Sequence, residues 1–229
     1  MEFTKLSNRL DLVASFVPAG ARLLDVGSDH AYLPIALLQE SKIEAAIAGE
    51  VVEGPYRSAL QNVADNGLED KIEVRLANGL AAFESTDGIS CITIAGMGGR
   101  LIADILAAGL EKLAGVSRLV LQPNNREDEL RAWLVDHDFR IVDEAILEEN
   151  EKFYEILVVE HGSQELSAKE LRFGPYLMLE QAPAFVQKWS KEVEKLCFAL
   201  EQVPVENQSA RASLEERIAH IKEVLNVSK

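Results

Sequence analysis

Five short apolar runs, each ending in small or polar residues and most followed by a helix-period segment, constrain this chain more than any other feature. The runs are RLLDVG (22–27), AAIAGEV (45–51), IEVRLAN (72–78), SCITIAG (90–96) and RLVLQPN (118–124). Helical spacing follows in AYLPIALLQE, from Gly54 to Asn66, from Gly99 to Leu113, and in the acid-started REDELRAWLVDHD. Strands joined through helices pair in parallel, because a tight turn can only reverse the chain. The alternation therefore predicts an α/β fold: a parallel sheet with helices on both faces.

Beyond the fifth run the pattern changes. FRIVDEAILEEN and KFYEILVVEHG follow each other with only a turn between them, which predicts an antiparallel hairpin at one sheet edge. Parallel strands closed by such a hairpin suit a Rossmann-like methyltransferase better than a dinucleotide dehydrogenase. Ahead of the first strand, Phe3, Leu6, Leu10, Val13 and Phe16 step by three or four, predicting an amphipathic helix over 3–17 that stops at Pro18 and Gly20. After Gly162, Val186, Trp189, Val193, Leu196, Leu200 and Val203 form one apolar seam, and Leu214, Ile218, Ile221 and Leu225 a second, separated by Pro204. Two such helices make a coiled-coil-like hairpin. The expected organisation is a sheet domain over residues 1–162 and a helical domain over 163–229.

Open parallel sheets bind ligands beyond the carboxyl ends of their strands, so the strand tips are where chemistry is expected. The first tip reads Asp25-Val26-Gly27-Ser28-Asp29-His30. A single glycine permits close backbone approach, but it is not the G-x-G-x-x-G that cradles a pyrophosphate. Carboxylates here suit a cationic cofactor, such as the amino and sulfonium groups of S-adenosylmethionine; the competing reading is a tight turn with Asp29 as a helix cap. The second tip ends in Glu50-Val51, where an acid can accept hydrogen bonds from ribose hydroxyls. At the third, Asn78-Gly79 is either an adenine-edge contact or an ordinary turn. The fourth, Ala95-Gly96-Met97-Gly98-Gly99-Arg100, carries more glycine than a loop-to-helix link needs. At the fifth, Gln122, Pro123 and Asn124 either shape an acceptor pocket or simply turn.

The formal net charge of -15 argues against a nucleic-acid partner. Its distribution matters more: residues 1–160 carry 14 basic and 28 acidic side chains, residues 161–229 carry 9 and 10. The tail is thus free to present a local basic face. Two cysteines far apart, Cys91 and Cys197, imply neither a disulfide framework nor a zinc site, and the four histidines have no metal-ligand spacing. No metal is expected. Lys5, Arg9 and Asp11 interrupt the N-terminal apolar residues, so neither a signal-peptide core nor a membrane span is expected, and the compartment reads as cytoplasm.

In order along the chain, DVGSDHAYLPI, GEVVEGP, LANGL, IAGMGGRLI, LQPN and KFYEIL resemble the TrmK family of bacterial tRNA (adenine-22-N1)-methyltransferases. The resemblance covers nearly the whole chain, and DVGSDHAYLP with IAGMGG is its most specific part. It implies a class I methyltransferase domain followed by a small helical one, S-adenosyl-L-methionine as methyl donor, S-adenosyl-L-homocysteine as product, and tRNA as partner. Asp25, Gly27, Ser28, His30, Glu50, Val51, Asn78, Gly79, Ala95, Gly96 and Met97 would line the cofactor. Adenine N1 has an in-plane lone pair, so it needs alignment rather than deprotonation, and a carboxylate would stabilise the cationic product ring. Asp29 is the first candidate for that role, and Arg9 for contact with base or phosphate. The absence of [Asn/Asp]-Pro-Pro-[Tyr/Phe] after the fourth strand weakens exocyclic-amine methylation. Lys188, Lys191, Lys195, Arg211 and Lys222 are the candidate tRNA contacts on the tail. Two rivals stand beside this reading: a small-molecule or protein methyltransferase, and a non-catalytic S-adenosylmethionine-binding protein. A monomer is the working assumption.

Overall fold

The structure, a computed structural model, describes residues 4–226. Seven strands form one sheet: β1 (Ala21–Val26), β2 (Ile43–Glu50), β3 (Ile72–Leu76), β4 (Cys91–Met97), β5 (Arg118–Pro123), β6 (Phe139–Glu149) and β7 (Lys152–His161). Their order is β3-β2-β1-β4-β5-β7-β6. The first five are mutually parallel, whereas β7 enters antiparallel between β5 and β6. Strands of a covered parallel sheet are buried on both faces, which is why they read as continuous apolar runs. Leu23, Leu24, Ile92, Ile94, Val120 and Leu121 accordingly have no exposure.

Helices α1 (Asn8–Phe16), α2 (Tyr32–Gln39), α3 (Glu53–Asp65), α4 (Gly99–Ala107) and α5 (Glu127–Asp136) cover the two faces. The first is shorter than its periodicity predicts. Ser7 is its N-cap, the hydroxyl accepting from the Leu10 amide at 3.2 Å, so Leu6 lies outside it, and Phe3 lies outside the described residues. Helix α4 also stops early, and Leu110–Gly115 follow as a 3-10 turn.

Among the described residues the tail contains four helices rather than two. Short α6 (Ala168–Phe173) and α7 (Pro175–Glu180) precede α8 (Pro183–Gln202) and α9 (Gln208–Asn226). Trp189 and Leu196 of α8 pack with Ile218 and Ile221 of α9, as the two seams require. Val224, outside the expected seam, joins them, whereas Val186 is 39% exposed and Val203 is the C-cap of α8. This core also takes in Phe173, Leu177 and, from strand β6, Ile146, so the tail is seated on the hairpin.

A buried ionic cluster joins the same parts. Arg131 of α5 donates to Glu144 of β6 at 2.7 Å and to Glu155 of β7, and none of the three side chains is exposed. Lys188 of α8 donates to Glu155 at 2.6 Å and Glu127 at 2.9 Å. Burial opposes the Arg131 charge, but Glu155 and Glu144 outweigh it and raise its pKa. Burial likewise opposes ionisation of Glu155, and Arg131 with Lys188 overcomes it, holding that carboxyl below its ordinary value. Gly174, between α6 and α7, is required here. Its φ is +86°, and a Cβ would lie 2.7 Å from Glu144 Oε2 and 2.8 Å from an Arg131 nitrogen.

Candidate active site

The carboxyl ends of β1, β2 and β4 bring the expected residues to one rim. Asp25 pairs with Ala48 of β2 and Thr93 of β4 in the ladders. Its buried carboxylate accepts from Ser28 Oγ and Thr93 Oγ1, each at 2.6 Å. Burial raises its pKa, and those two hydroxyls act in the opposite sense. Thr93 was not among the sequence candidates. A threonine inside an apolar strand signals nothing until the strand register sets it beside Asp25.

Gly27 turns the chain immediately after β1, with φ +67°, and its amide donates to Gly49 O at 2.9 Å. Three non-glycine residues then follow with positive φ: Asp29 (42°), His30 (69°) and Ala31 (59°). Left-handed backbone costs an L-residue about 1–2 kcal/mol, and such strain concentrates at functional sites. Ala31, not Asp29, is the N-cap of α2, and it makes no side-chain cap. Asp29 is therefore not the helix cap of the bland reading. Its side chain is 85% exposed, with the His30 ring nitrogen at 3.6 Å. Gly27→Ala should destabilise the chain by about 1–2 kcal/mol, because it forces alanine into that conformation. The new Cβ would also meet Met97 Cε at 2.4 Å and push this flexible side chain aside. A denaturant midpoint unchanged from wild type would contradict this.

Glu50 is buried at the tip of β2, and its Oε1 has no hydrogen-bond partner. Burial raises its pKa, the Asp29 amide lowers it, and the charges of Asp25 and Asp29 raise it again. A buried acceptor without a donor is costly unless a ligand supplies one. Val51 beside it is 64% exposed, an apolar face open at the rim.

At β4, the ladder to β5 slips between Ala95 and Met97, leaving Gly96 as the bulge, with φ +78°. Gln122 of β5, fully buried, fills the gap. Its Oε1 accepts from the Gly96 amide at 3.0 Å and from Arg9 Nη1 at 2.6 Å, and its Nε2 donates to Pro123 O and Asn124 Oδ1. Asn124 Nδ2 donates to Gly96 O at 2.8 Å. Of the two readings of this tip, the turn is the one its bonding describes, and that turn shapes the rim. Arg9 reaches it from α1, its guanidinium 5.6 Å from the Tyr154 ring centroid.

Arg9, Asp25, Gly27, Ser28, Asp29, Ala95, Gly96 and Met97 line one cavity of about 230 Å3, together with Leu10 and Leu33. His30, Glu50 and Val51 are not among its lining residues, and Asn78 and Gly79 lie apart from it, lining a different cavity with Leu101 and Ile105. Gly79 packs against Ile105, although the Ala77 amide just before them bonds to Glu50 O at 2.8 Å. Cys91 is buried inside β4, and burial pushes its thiol up to about 12, so it offers no nucleophile at neutral pH. Among the described residues no group of three His, Cys, Asp or Glu could hold a metal, and no helix is long and apolar enough to cross a membrane.

The strand order, the antiparallel β7 and acidic tips on β1 and β2 define a Rossmann-like methyltransferase fold. The model of the family "TrmK: tRNA (adenine(22)-N(1))-methyltransferase" matches residues 23–223. The chain belongs to that family. It is 41% identical to the tRNA (adenine(22)-N(1))-methyltransferase of Bacillus subtilis, over 99% of each chain. It is also similar to the crystal structure of a putative tRNA (m1A22) methyltransferase of Streptococcus pneumoniae, with TM-score 0.95 and 66% identity over 97% of this chain and 100% of that one. A structure of the pneumococcal protein in complex with S-adenosyl-L-methionine superposes with TM-score 0.91, at 65% identity and the same coverage.

Proposed function

We propose that this chain transfers a methyl group from S-adenosyl-L-methionine to N1 of adenine 22 in tRNA, with the sheet over 1–162 as the catalytic domain and 163–229 as an appended helical domain. Membership of the TrmK family supports this reading, and the observation that carries it to particular residues is the orphaned Glu50 Oε1. A ribose hydroxyl is the donor that this buried carboxylate lacks. Asp25 holds the first-strand turn through Ser28, and the exposed Val51 face suits an adenine ring. Ala95, Gly96 and Met97 line the neighbouring cavity together with Asp25 and Gly27. Asn78 and Gly79 follow Ala77, whose amide bonds Glu50 O, and complete the proposed set from the second cavity.

When bound, the cofactor supplies an electrophilic methyl group. The chain's own task is to hold the acceptor nitrogen in line with it and to stabilise the positive charge that the adenine ring gains. Asp29, exposed and on the cavity wall, is the carboxylate available to face that ring. Arg9, fixed by Gln122 over Tyr154, orients the base or its phosphate. Since N1 lies on the pairing edge, the adenine must leave its pair and stack to enter. The acidic rim opposes a pyrophosphate and suits cationic ligands. A monomer acting in the cytoplasm is the remaining part of the proposal.

Transfer of labelled methyl from S-adenosyl-L-methionine to an unmodified tRNA transcript, followed by digestion to nucleosides, tests it. Label should appear in 1-methyladenosine and vanish when A22 is replaced by G. Label in another nucleoside, or in protein or metabolites but not tRNA, would select a rival.

A further inference from the structure

Between the sheet rim and the tail runs a groove of about 720 Å3. Six of its lining residues are basic and four acidic, in a chain with a net charge of -15. Several of these cations are already committed. Lys188 is tied to Glu127 and Glu155, Lys191 lies 3.1 Å from Glu148, and Arg217 3.6 Å from Glu192. Three are not: among the described residues, Lys152, Arg172 and Lys195 have no carboxylate within ion-pair distance and no hydrogen-bond partner.

Arg172 is the most unusual of them. Its guanidinium lies over the Phe173 ring at 4.9 Å and the Trp189 ring at 5.6 Å. Burial, and then the charge of Arg217, lowers its pKa, outweighing the opposite pull of the Glu192 and Asp128 charges, neither of which is within ion-pair distance. A half-buried cation crowded by another cation is unfavourable unless an anion completes the site. Trp189, on the same wall, has a buried indole N–H with no acceptor.

We infer that this groove is a phosphodiester-binding subsite, in which Arg172 and Lys195 hold backbone phosphates of the RNA strand leading to the methyl-transfer cavity. The inference rests on the tRNA reading above. Continuity selects RNA over other anions. Asn124 and Tyr154 line the groove, and the same two residues meet the Gly96 bulge and Arg9 at the cavity. A strand in the groove therefore ends where its nucleotide must be delivered. Two of the tail cations named from sequence do not belong to this role: Lys188 is committed to ion pairs with Glu127 and Glu155, and Arg211 donates to Leu200 O and Val203 O at the end of α8.

Binding of an unmodified tRNA transcript, measured across salt concentrations, tests this. Each lost phosphate contact should flatten the log-affinity against log-salt slope by about 0.7–0.9. Arg172→Ala and Lys195→Ala should each do so, with KM for tRNA raised several-fold and kcat at saturating tRNA retained. Arg172→Lys should restore most of the slope. Lys71→Ala, an exposed cation just before β3, should leave it unchanged, and S-adenosyl-L-methionine affinity should be the same throughout. Lys195 is an exposed helix-surface residue, so its variant tests the site even if Arg172→Ala folds poorly. A wild-type slope in the double variant, or an equal loss in Lys71→Ala, overturns the subsite while leaving methyl transfer intact. A wild-type chain that neither binds nor methylates tRNA overturns the functional reading itself.

Discussion

Arg131→Met should cost about 3–5 kcal/mol of unfolding free energy, because it strands two buried carboxylates without their guanidinium. That is a large part of the 5–15 kcal/mol or so by which a domain is stable. Glu144 and Glu155 have no exposure to relieve them, and Lys188 reaches only Glu155. Adding Glu144→Leu to the variant removes one uncompensated charge and should recover part of the loss. Acid should distinguish the two proteins. Against burial, Arg131 and Lys188 hold the wild-type Glu155 pKa below its ordinary 4.5, whereas burial holds that of Glu144 above it. The Glu155 stabilisation is present above pH 4.5 and is lost as pH falls through its folded value. In Arg131→Met the stranded carboxyls hold protons more tightly than the unfolded chain does. Stability lost at neutral pH is then regained as pH falls into the ordinary carboxylate range. Urea titrations at pH 7 and pH 5 would measure this, and a loss below about 1 kcal/mol at pH 7 would mean that the cluster contributes little.

Glu50→Gln should show two effects of opposite sign. Cofactor affinity should fall about tenfold to a hundredfold, the worth of charge-assisted hydrogen bonds to a carboxylate. The ligand-free protein should become more stable, because glutamine needs no charge desolvated. Burial holds the Glu50 pKa above its ordinary 4.5, so the native state keeps a proton that the unfolded chain has released. The wild-type penalty is absent well below pH 4.5 and grows as pH rises past it. The stability gap between variant and wild type should therefore widen from pH 4 to pH 7. Calorimetric titration with S-adenosyl-L-methionine and thermal melts without it give the two readings. Unchanged affinity would remove Glu50 from the proposed ribose contact.

The strands were legible because burial on both faces leaves mostly apolar residues, as in Leu23–Leu24 and at Ile92 and Ile94. The rim residues were legible where glycine and acid interrupt those runs, at Asp25, Gly27, Glu50 and Gly96. What escaped depends on who faces whom across the sheet. Thr93 acquires a role only through the register of β4 on β1, and Gln122 only through the bulge opposite it. Lys188 looked like a free helix-surface cation, and nothing local announces that Glu155 from β7 lies beneath it. The start of α1 was misplaced for a different reason. Apolar spacing continues back through Leu6, but Ser7 captures the Leu10 amide and begins the helix there.

Ile146 on β6 packs into the tail core while Glu155 on β7 grips Lys188, so α8 is tied to the sheet at two places. The span from the outer groove to the cavity is then a built-in ruler. With an RNA strand in the proposed subsite, such a ruler would measure the strand instead of reading its letters, accepting those whose adenine stands at the right reach from the gripped backbone. Shifting that adenine by one nucleotide should defeat modification even with its neighbours unchanged, and length would be the currency of selectivity.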